Sequence, residues 1–271
     1  MTEVTRRKLN LDGGIDMNVA EMGSGRPLIF IHGSGPGASG WNNFRGNAKV
    51  LAAQGYRCLM PDLVGFGHSS KPTDITFSLE YLASTILKLI ETDKLTDVVL
   101  VGNSLGGAVA IQCALERPDL VSKLVLMAPG WLEEREVFAA MEGIQAMRHV
   151  LMDPEGLKLE NLQRTLKLMF ADSNKLPAGL AEERFDLAQL QNDTIYTNMS
   201  GSNLTPRLGE LRLPVLGFWG GEDRFCPPSG ALHLVTGVQD CKVVMIARCG
   251  HWFMMEEAEL FNREVLEFVR K

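Results

Sequence analysis

A serine, a histidine and an acid can together hydrolyse a carbonyl compound, and this sequence holds each of them in a suitable setting. Ser104 sits in Gly102-Asn103-Ser104-Leu105-Gly106, a G-x-S-x-G pentapeptide. A serine hydroxyl is a poor nucleophile at neutral pH. It needs a base to take its proton and an acid to orient that base. Of the five histidines, His251 is the candidate base, because it follows Cys249-Gly250 in the loop after the last predicted strand. His32 ends an earlier strand and reads as a backbone-structuring residue. His68, His149 and His233 lack a strand-end setting and read as solvated or packed. Trp219-Gly220-Gly221-Glu222-Asp223 supplies two candidate acids after the preceding strand. Asp223 is favoured, since G-x-x-D is the usual spacing at this position, and Glu222 reads as a solvated loop charge. A carboxylate on His251 Nδ1 would fix the ring tautomer and stabilise the imidazolium.

The elements that must position these groups are legible around them. Val98-Val99-Leu100-Val101 is a short apolar run, three of its residues β-branched, and reads as a buried strand. Gly106 to Glu116 reads as a closely packed helix. Strand, sharp turn and helix are the setting a nucleophile elbow requires. An oxyanion hole needs two backbone N–H groups. One is expected from Leu105, after the nucleophile, and the other from Ser34 or Gly35, in the loop that follows Leu28-Ile29-Phe30-Ile31-His32. That loop, Gly33 to Gly40, also matches G-x-G-x-x-G literally at Gly35–Gly40, with Asp62 after the next strand. A dinucleotide site is disfavoured there, because Pro36 removes an N–H where a pyrophosphate would sit. No group of His, Cys and carboxylates has metal-ligand spacing. The chemistry reads as free of cofactor and metal.

Along the chain, Asn18 to Glu21 reads as the end of an early hairpin and Asn43 to Gln54 as a helix. Tyr56 to Met60 reads as a strand stopped by Pro61-Asp62. Ser78 to Thr92 reads as an amphipathic helix with Leu79, Leu82, Ile86, Leu87 and Ile90 on one face. Leu124 to Ala128 is a further strand. Strands alternating with helices predict an α/β fold with a mostly parallel sheet covered on both faces. The rhythm breaks between Trp131 and Leu204, where no strand is predicted and residues 134–151, 156–171 and 178–191 read as helical. This segment reads as a helical lid inserted after a core strand. Leu213 to Gly220 and Lys242 to Ile246 return to the sheet, a short helix spans Ser229 to Leu234, and Glu256 to Val269 closes the chain. The domain division is therefore residues 1–130 and 207–271 for the core and 131–206 for the lid.

Composition narrows the classes further. The chain has 271 residues, 45% hydrophobic and 22% charged, with a net charge of −6 and no basic block. This argues against nucleic acid and anionic membrane surfaces as partners. No apolar run approaches the about 18–20 residues of a membrane span. The start, Met1-Thr2-Glu3-Val4-Thr5-Arg6-Arg7-Lys8, is not followed by an apolar signal core. Five cysteines, an odd number without a C-x-x-C pair, read as reduced thiols in a cytoplasmic protein. Cys226 and Cys249 read as small packing groups.

The run His32-Gly33-Ser34-Gly35-Pro36-Gly37-Ala38-Ser39-Gly40-Trp41-Asn42-Asn43-Phe44 is more specific than G-x-S-x-G. So are Leu126-Met127-Ala128-Pro129-Gly130, Trp219 to Phe225 and Cys249-Gly250-His251-Trp252. On these residues the chain resembles the α/β-hydrolase superfamily and, within it, the meta-cleavage product hydrolases. Those enzymes cut carbon–carbon bonds in ring-fission products of aromatic catabolism. The resemblance implies the α/β-hydrolase fold, the triad Ser104, Asp223 and His251, and a small-molecule substrate of the 2-hydroxy-6-oxohexa-2,4-dienoate type. It further implies that Arg184, Asn43, Asn103 and Trp252 hold the carboxylate and 2-oxo end of that substrate. By its own neighbourhood, Arg184 reads as a solvated helix charge beside Glu182 and Glu183, and Asn103 as a turn former. Ser34 and Leu105 stand where glycine or alanine, and methionine, are common in the family. Both act through their backbone, so the substitutions change little. Residues 172–182 match loosely, which leaves the group carried on the ketone open. Met141, Met147, Met152, Met169 and Phe170 read mainly as core, with the lining of an apolar pocket as the alternative. The same triad would serve a carboxylesterase or thioesterase. A non-catalytic ligand-binding protein on this scaffold would have no need of the complete triad. Oligomeric state is not readable here; the resemblance suggests a homodimer or a higher homo-oligomer.

Overall fold

Uncharged runs of β-branched and aliphatic residues form strands buried on both faces. In the computed structural model, which describes residues 3–271, the strands are β1 (Thr5–Leu11), β2 (Ile15–Met22), β3 (Arg26–Ile31), β4 (Tyr56–Pro61), β5 (Phe77–Ser78), β6 (Val98–Asn103), β7 (Val121–Met127), β8 (Met199–Ser200), β9 (Val215–Gly220) and β10 (Cys241–Ile246). Met1 and Thr2, which begin the charged N-terminal run, lie outside the described residues. Among the described residues, eight strands form one sheet in the order β1-β2-β4-β3-β6-β7-β9-β10. The β1–β2 and β2–β4 pairs are antiparallel, and β4-β3-β6-β7-β9-β10 pair in parallel.

The helices are α1 (Gly40–Ala52), α2 (Leu79–Thr92), α3 (Leu105–Glu116), α4 (Arg135–Ala139), α5 (Glu142–Leu151), α6 (Leu159–Lys167), α7 (Leu180–Ala188), α8 (Thr194–Thr197), α9 (Ser229–Gly237), α10 (Phe253–Glu256) and α11 (Ala258–Arg270). Alternate strand residues face opposite ways, and the core divides accordingly. Ile29, Ile31 and Leu100 pack with apolar residues of α2, α3 and α9. Leu28, Phe30, Val99 and Val101 pack with those of α1 and α11. The sheet is thus covered on both faces. No helix of the described residues is long and apolar enough to cross a membrane.

Several element boundaries differ from the sequence reading. Helix α1 starts at Gly40 instead of Asn43, because Ser39 caps it. The Ser39 Oγ accepts from the Asn42 N–H and the Ser39 N–H donates to Asn42 Oδ1, both at 3.1 Å. Asn43 is thereby placed in the first helical turn, buried. The long helices read over 134–151, 156–171 and 178–191 are shorter and more broken. Within the stretch read as strandless, β8 pairs in parallel with β5 through Phe77–Met199 and Ser78–Ser200. A two-residue strand has no periodicity to detect. The closing helix is divided at Glu257, where φ is −121°. Met152 is 72% exposed and belongs to neither core nor pocket.

Candidate active site

Parallel strands bring their C-terminal ends to one edge of a sheet, and an α/β protein binds its ligands there. Ser104 follows β6, Asp223 follows β9, His251 follows β10 and the His32–Gly35 loop follows β3. Ser104 has φ of 54° and ψ of −118°. Such a conformation costs a serine about 1–3 kcal/mol and persists where surrounding bonds impose it. They are present: the Ser104 N–H donates to Met127 O at 3.0 Å, and its carbonyl accepts from the N–H groups of Gly107, Ala108 and Gly130. A Cβ on Gly106 would lie 2.0 Å from the Ile31 carbonyl, so only glycine lets α3 pack against the end of β3. Leu105 opens α3, and its N–H has no carbonyl one turn back to bond.

His251 and Asp223 are both buried and share a 2.7 Å contact between Nδ1 and Oδ2. The other oxygen, Asp223 Oδ1, accepts from the Phe225 and Cys226 N–H groups at 2.8 and 2.9 Å. The carboxylate is therefore fixed in orientation and in turn fixes the imidazole. Glu222 is exposed and makes no such contact. The Phe225 ring packs on His251 with centroids 5.2 Å apart. Cys226 lies beside the Ser104 side chain; burial, then the charge of Asp223, pushes its thiol well up, so it is a neutral packing group. A residue the sequence did not single out holds the His251 loop. Glu256 accepts from the Gly250 N–H at 2.7 Å and from the Ala171 and Asp172 N–H groups at 3.0 Å each. Two of its three partners are distant in sequence, so no local pattern announces it.

The loop after β3 is shaped by His32, as its strand-end position suggested. Its Nδ1 bonds the Gly33 carbonyl at 2.7 Å and its Nε2 accepts from the Leu63 N–H at 3.0 Å, which assigns the Nδ1–H tautomer. A Cβ on Gly33 would stand 3.2 Å from Ser104 Cβ, so this loop touches Ser104, and Ser34 and Gly35 follow at once. Burial lowers the His32 pKa from 6.5 to about 4. Between those pH values the unfolded chain binds a proton that the folded chain refuses, so stability falls as pH drops from 6.5 to about 4. The loss is about 3 kcal/mol, present in full below the folded value and absent above the unfolded one. Urea unfolding of the wild type and of His32→Gln at pH 7 and at pH 4.5 checks this. The wild type should lose more stability than the variant between the two, and parallel losses would refute it.

The arginine that looked solvated is fully enclosed. Arg184 is 1% exposed, and Trp252 lies against its guanidinium, 5.3 Å from Cζ to the ring centroid. Its Nε donates to Pro36 O at 3.1 Å and its Nη1 to Asn43 Oδ1 at 3.4 Å. Asn43 Nδ2 donates to Asn103 Oδ1, and Asn103 Nδ2 to Met127 O. Arg184, Asn43, Asn103 and Trp252 thus form one connected group reaching the residue before Ser104. Glu182 is exposed and Glu183 pairs with Arg45, so neither neutralises Arg184. Burial pulls the guanidinium down to about 10, still a cation at neutral pH. Gly37, at φ of 66°, makes the enclosure possible: a Cβ there would fall 1.7 Å from the Arg184 carbonyl. Met147 Sδ and Arg184 Nη2 both lie against Gly35. Phe170 meets Trp252 edge to face at 5.6 Å.

The model of the alpha/beta hydrolase family matches residues 28–264. A 2-hydroxy-6-oxononadienedioate/2-hydroxy-6-oxononatrienedioate hydrolase of Paraburkholderia xenovorans is 34% identical over 95% of this chain and 92% of its own length. A 2-hydroxy-6-oxo-6-phenylhexa-2,4-dienoate hydrolase of Comamonas testosteroni is 33% identical over 93% and 90%. The chain belongs to the meta-cleavage product hydrolases of the alpha/beta hydrolase family. A solved meta-cleavage product hydrolase from Pseudomonas fluorescens IP01, complexed with acetates, superposes with a TM-score of 0.82 at 28% identity, covering 95% of each chain. In this hydrolase, as the geometry above describes, the serine, the acid–histidine pair and the buried arginine group stand at one edge of the sheet.

Proposed function

We propose that this hydrolase cleaves the C5–C6 bond of 2-hydroxy-6-oxohexa-2,4-dienoates, giving a 2-hydroxypenta-2,4-dienoate and a carboxylic acid. The observation that carries the reading is Arg184, a buried cation without an acidic partner. An unpaired buried charge is strongly unfavourable unless something compensates it, and the planar guanidinium is suited to a carboxylate. The names of the relatives give dienoate or dienedioate substrates, which carry such a group. With the carboxylate at Arg184, the extended diene would run towards Ser104 and place the C6 ketone there.

A carbon leaving group departs only if its electrons are delocalised. The dienol therefore first ketonises: the 2-hydroxyl proton leaves and C5 gains a proton, with His251 as the carrier. Ser104 Oγ or water, deprotonated by His251, then adds to C6, and the Leu105 N–H with that of Ser34 or Gly35 stabilises the oxyanion. The C5–C6 bond breaks, its electrons pass into a dienolate ending at the C2 oxygen, and a proton from His251 completes the diene. Water releases the acid if Ser104 was the nucleophile. Asp223 orients His251 throughout. We place the enzyme in the cytoplasm, acting on a small molecule as a homodimer or higher homo-oligomer.

The test is spectrophotometric. The 6-phenyl dienoate and the 6-carboxyethyl substrate, both coloured, are compared with p-nitrophenyl butyrate. Bleaching of a dienoate is the expected result, and the preferred substrate sizes the ketone pocket. Brisk ester hydrolysis with no bleaching would replace this reading with a carboxylesterase.

A further inference from the structure

Among the described residues, two buried side-chain polar atoms lack a hydrogen-bond partner: Arg184 Nη2 and the hydroxyl of Tyr196. They belong to one neighbourhood. Tyr196 meets Phe66 edge to face at 6.1 Å, and Phe66 meets His32 in the same way at 5.3 Å, so the phenol is stacked onto the strand-end loop of the site. Gln191, close to the phenol, spends its own amide on the Gly37 N–H and the Gly65 carbonyl, and Gly37 is the residue against which Arg184 packs. The phenol and the guanidinium also influence one another electrostatically.

A phenol oxygen could accept from Arg184 Nη2, and that bond would satisfy both groups. It is not made. Two buried polar groups of one neighbourhood that both stay unbonded can share a third group that accepts from each. A carboxylate has two oxygens and bears the complementary charge. From this juxtaposition we infer that Tyr196 is a substrate-binding residue, its hydroxyl donating to the same carboxylate that Arg184 Nη2 holds. The inference rests on the carboxylate end proposed above. Burial raises the phenol pKa, so the group remains a donor throughout the working pH range. Tyr196 lies in α8, just beyond the arginine helix α7, and no pattern of the sequence marked it.

The arrangement gives Tyr196→Phe an unusual signature. In the free enzyme the hydroxyl meets at most the already engaged Gln191 amide, so its removal should change Tm little. In the complex a charge-assisted bond is lost, worth about tenfold in affinity or more. Sorbate, a dienoate that has no ketone to attack, serves as the probe. Calorimetry on the full-length protein should show its Kd rising about tenfold in Tyr196→Phe, and KM for a cleaved dienoate rising similarly. KM for p-nitrophenyl butyrate should stay within about twofold, since a neutral ester has no carboxylate to lose. An unchanged sorbate Kd, no sorbate binding by the wild type, or a marked fall in Tm would each overturn the inference. A wild type that binds sorbate through Tyr196 yet cleaves no dienoate would overturn the carbon–carbon reading and leave Tyr196 in place.

Discussion

Ser104→Ala should lower kcat on a dienoate, and on p-nitrophenyl butyrate, by roughly four to six orders of magnitude. The reason is local. The serine is held at φ of 54° by four backbone hydrogen bonds, one from its N–H and three to its carbonyl. None of them involves the hydroxyl. Alanine in the same conformation keeps all four, and its cost in strain resembles that of serine. The variant should therefore fold with a Tm within a few degrees of the wild type, and its loss of turnover then reports the nucleophilic oxygen. What survives is binding and oxyanion stabilisation, which are independent of Oγ. Single-turnover absorbance traces, read beside thermal unfolding, make the measurement. If the variant retained more than a few per cent of kcat with the fold intact, His251 would be activating water directly and Ser104 would not be the nucleophile.

Arg184→Ala should separate the two substrate types. Removing one partner of a buried, hydrogen-bonded charge pair costs about 2–5 kcal/mol. For a dienoate that means kcat/KM falling by roughly 30- to 5,000-fold. A small neutral ester never meets the guanidinium, so its kcat/KM should move by less than about threefold. Arg184→Lys keeps the charge but loses the planar fork, and should recover part of the dienoate activity. Because Arg184 also bonds Pro36 O and Asn43, truncation could disturb the pocket; the ester is the internal control for that. Equal losses on both substrates would remove the carboxylate role and leave Arg184 a structural residue. Steady-state kinetics on the three proteins with both substrates decides it.

The order Ser104, Asp223, His251 and the elements that carry them could be read from the chain. The reason is that each rests on a short-range pattern. Val98 to Val101 announces a buried strand by its own side chains, and Gly106 permits the close approach of a helix whatever lies elsewhere. Strands alternating with helices specify a parallel sheet, and a parallel sheet gathers its strand ends at one edge. The choice of Asp223 over Glu222 followed from the spacing, and the buried contact to His251 Nδ1 is consistent with it. Helix ends and the broken segment between β7 and β9 were less legible. A cap such as Ser39 or a two-residue strand such as β8 is fixed by a few bonds and carries no period.

The character of Arg184 could not be read from its neighbours, because Glu182 and Glu183 make the local stretch look like a solvated helix face. Only the fold turns that arginine inward, where Gly37 admits its backbone, Trp252 covers its guanidinium and Arg45 draws Glu183 away. Glu256 and Tyr196 are of the same kind. Each matters through residues far along the chain: Ala171 and Asp172 for the first, Arg184 and the His32–Phe66 stack for the second. Periodicity and motif spacing encode what a segment does within its own few turns. Whether a charge is buried, and what it is left to bind, depends on surfaces that meet only when the chain has folded. The sequence by itself determined the fold class and the order in which the candidate catalytic groups occur, and the tertiary structure alone decided that a cation stands buried without an acidic partner near them.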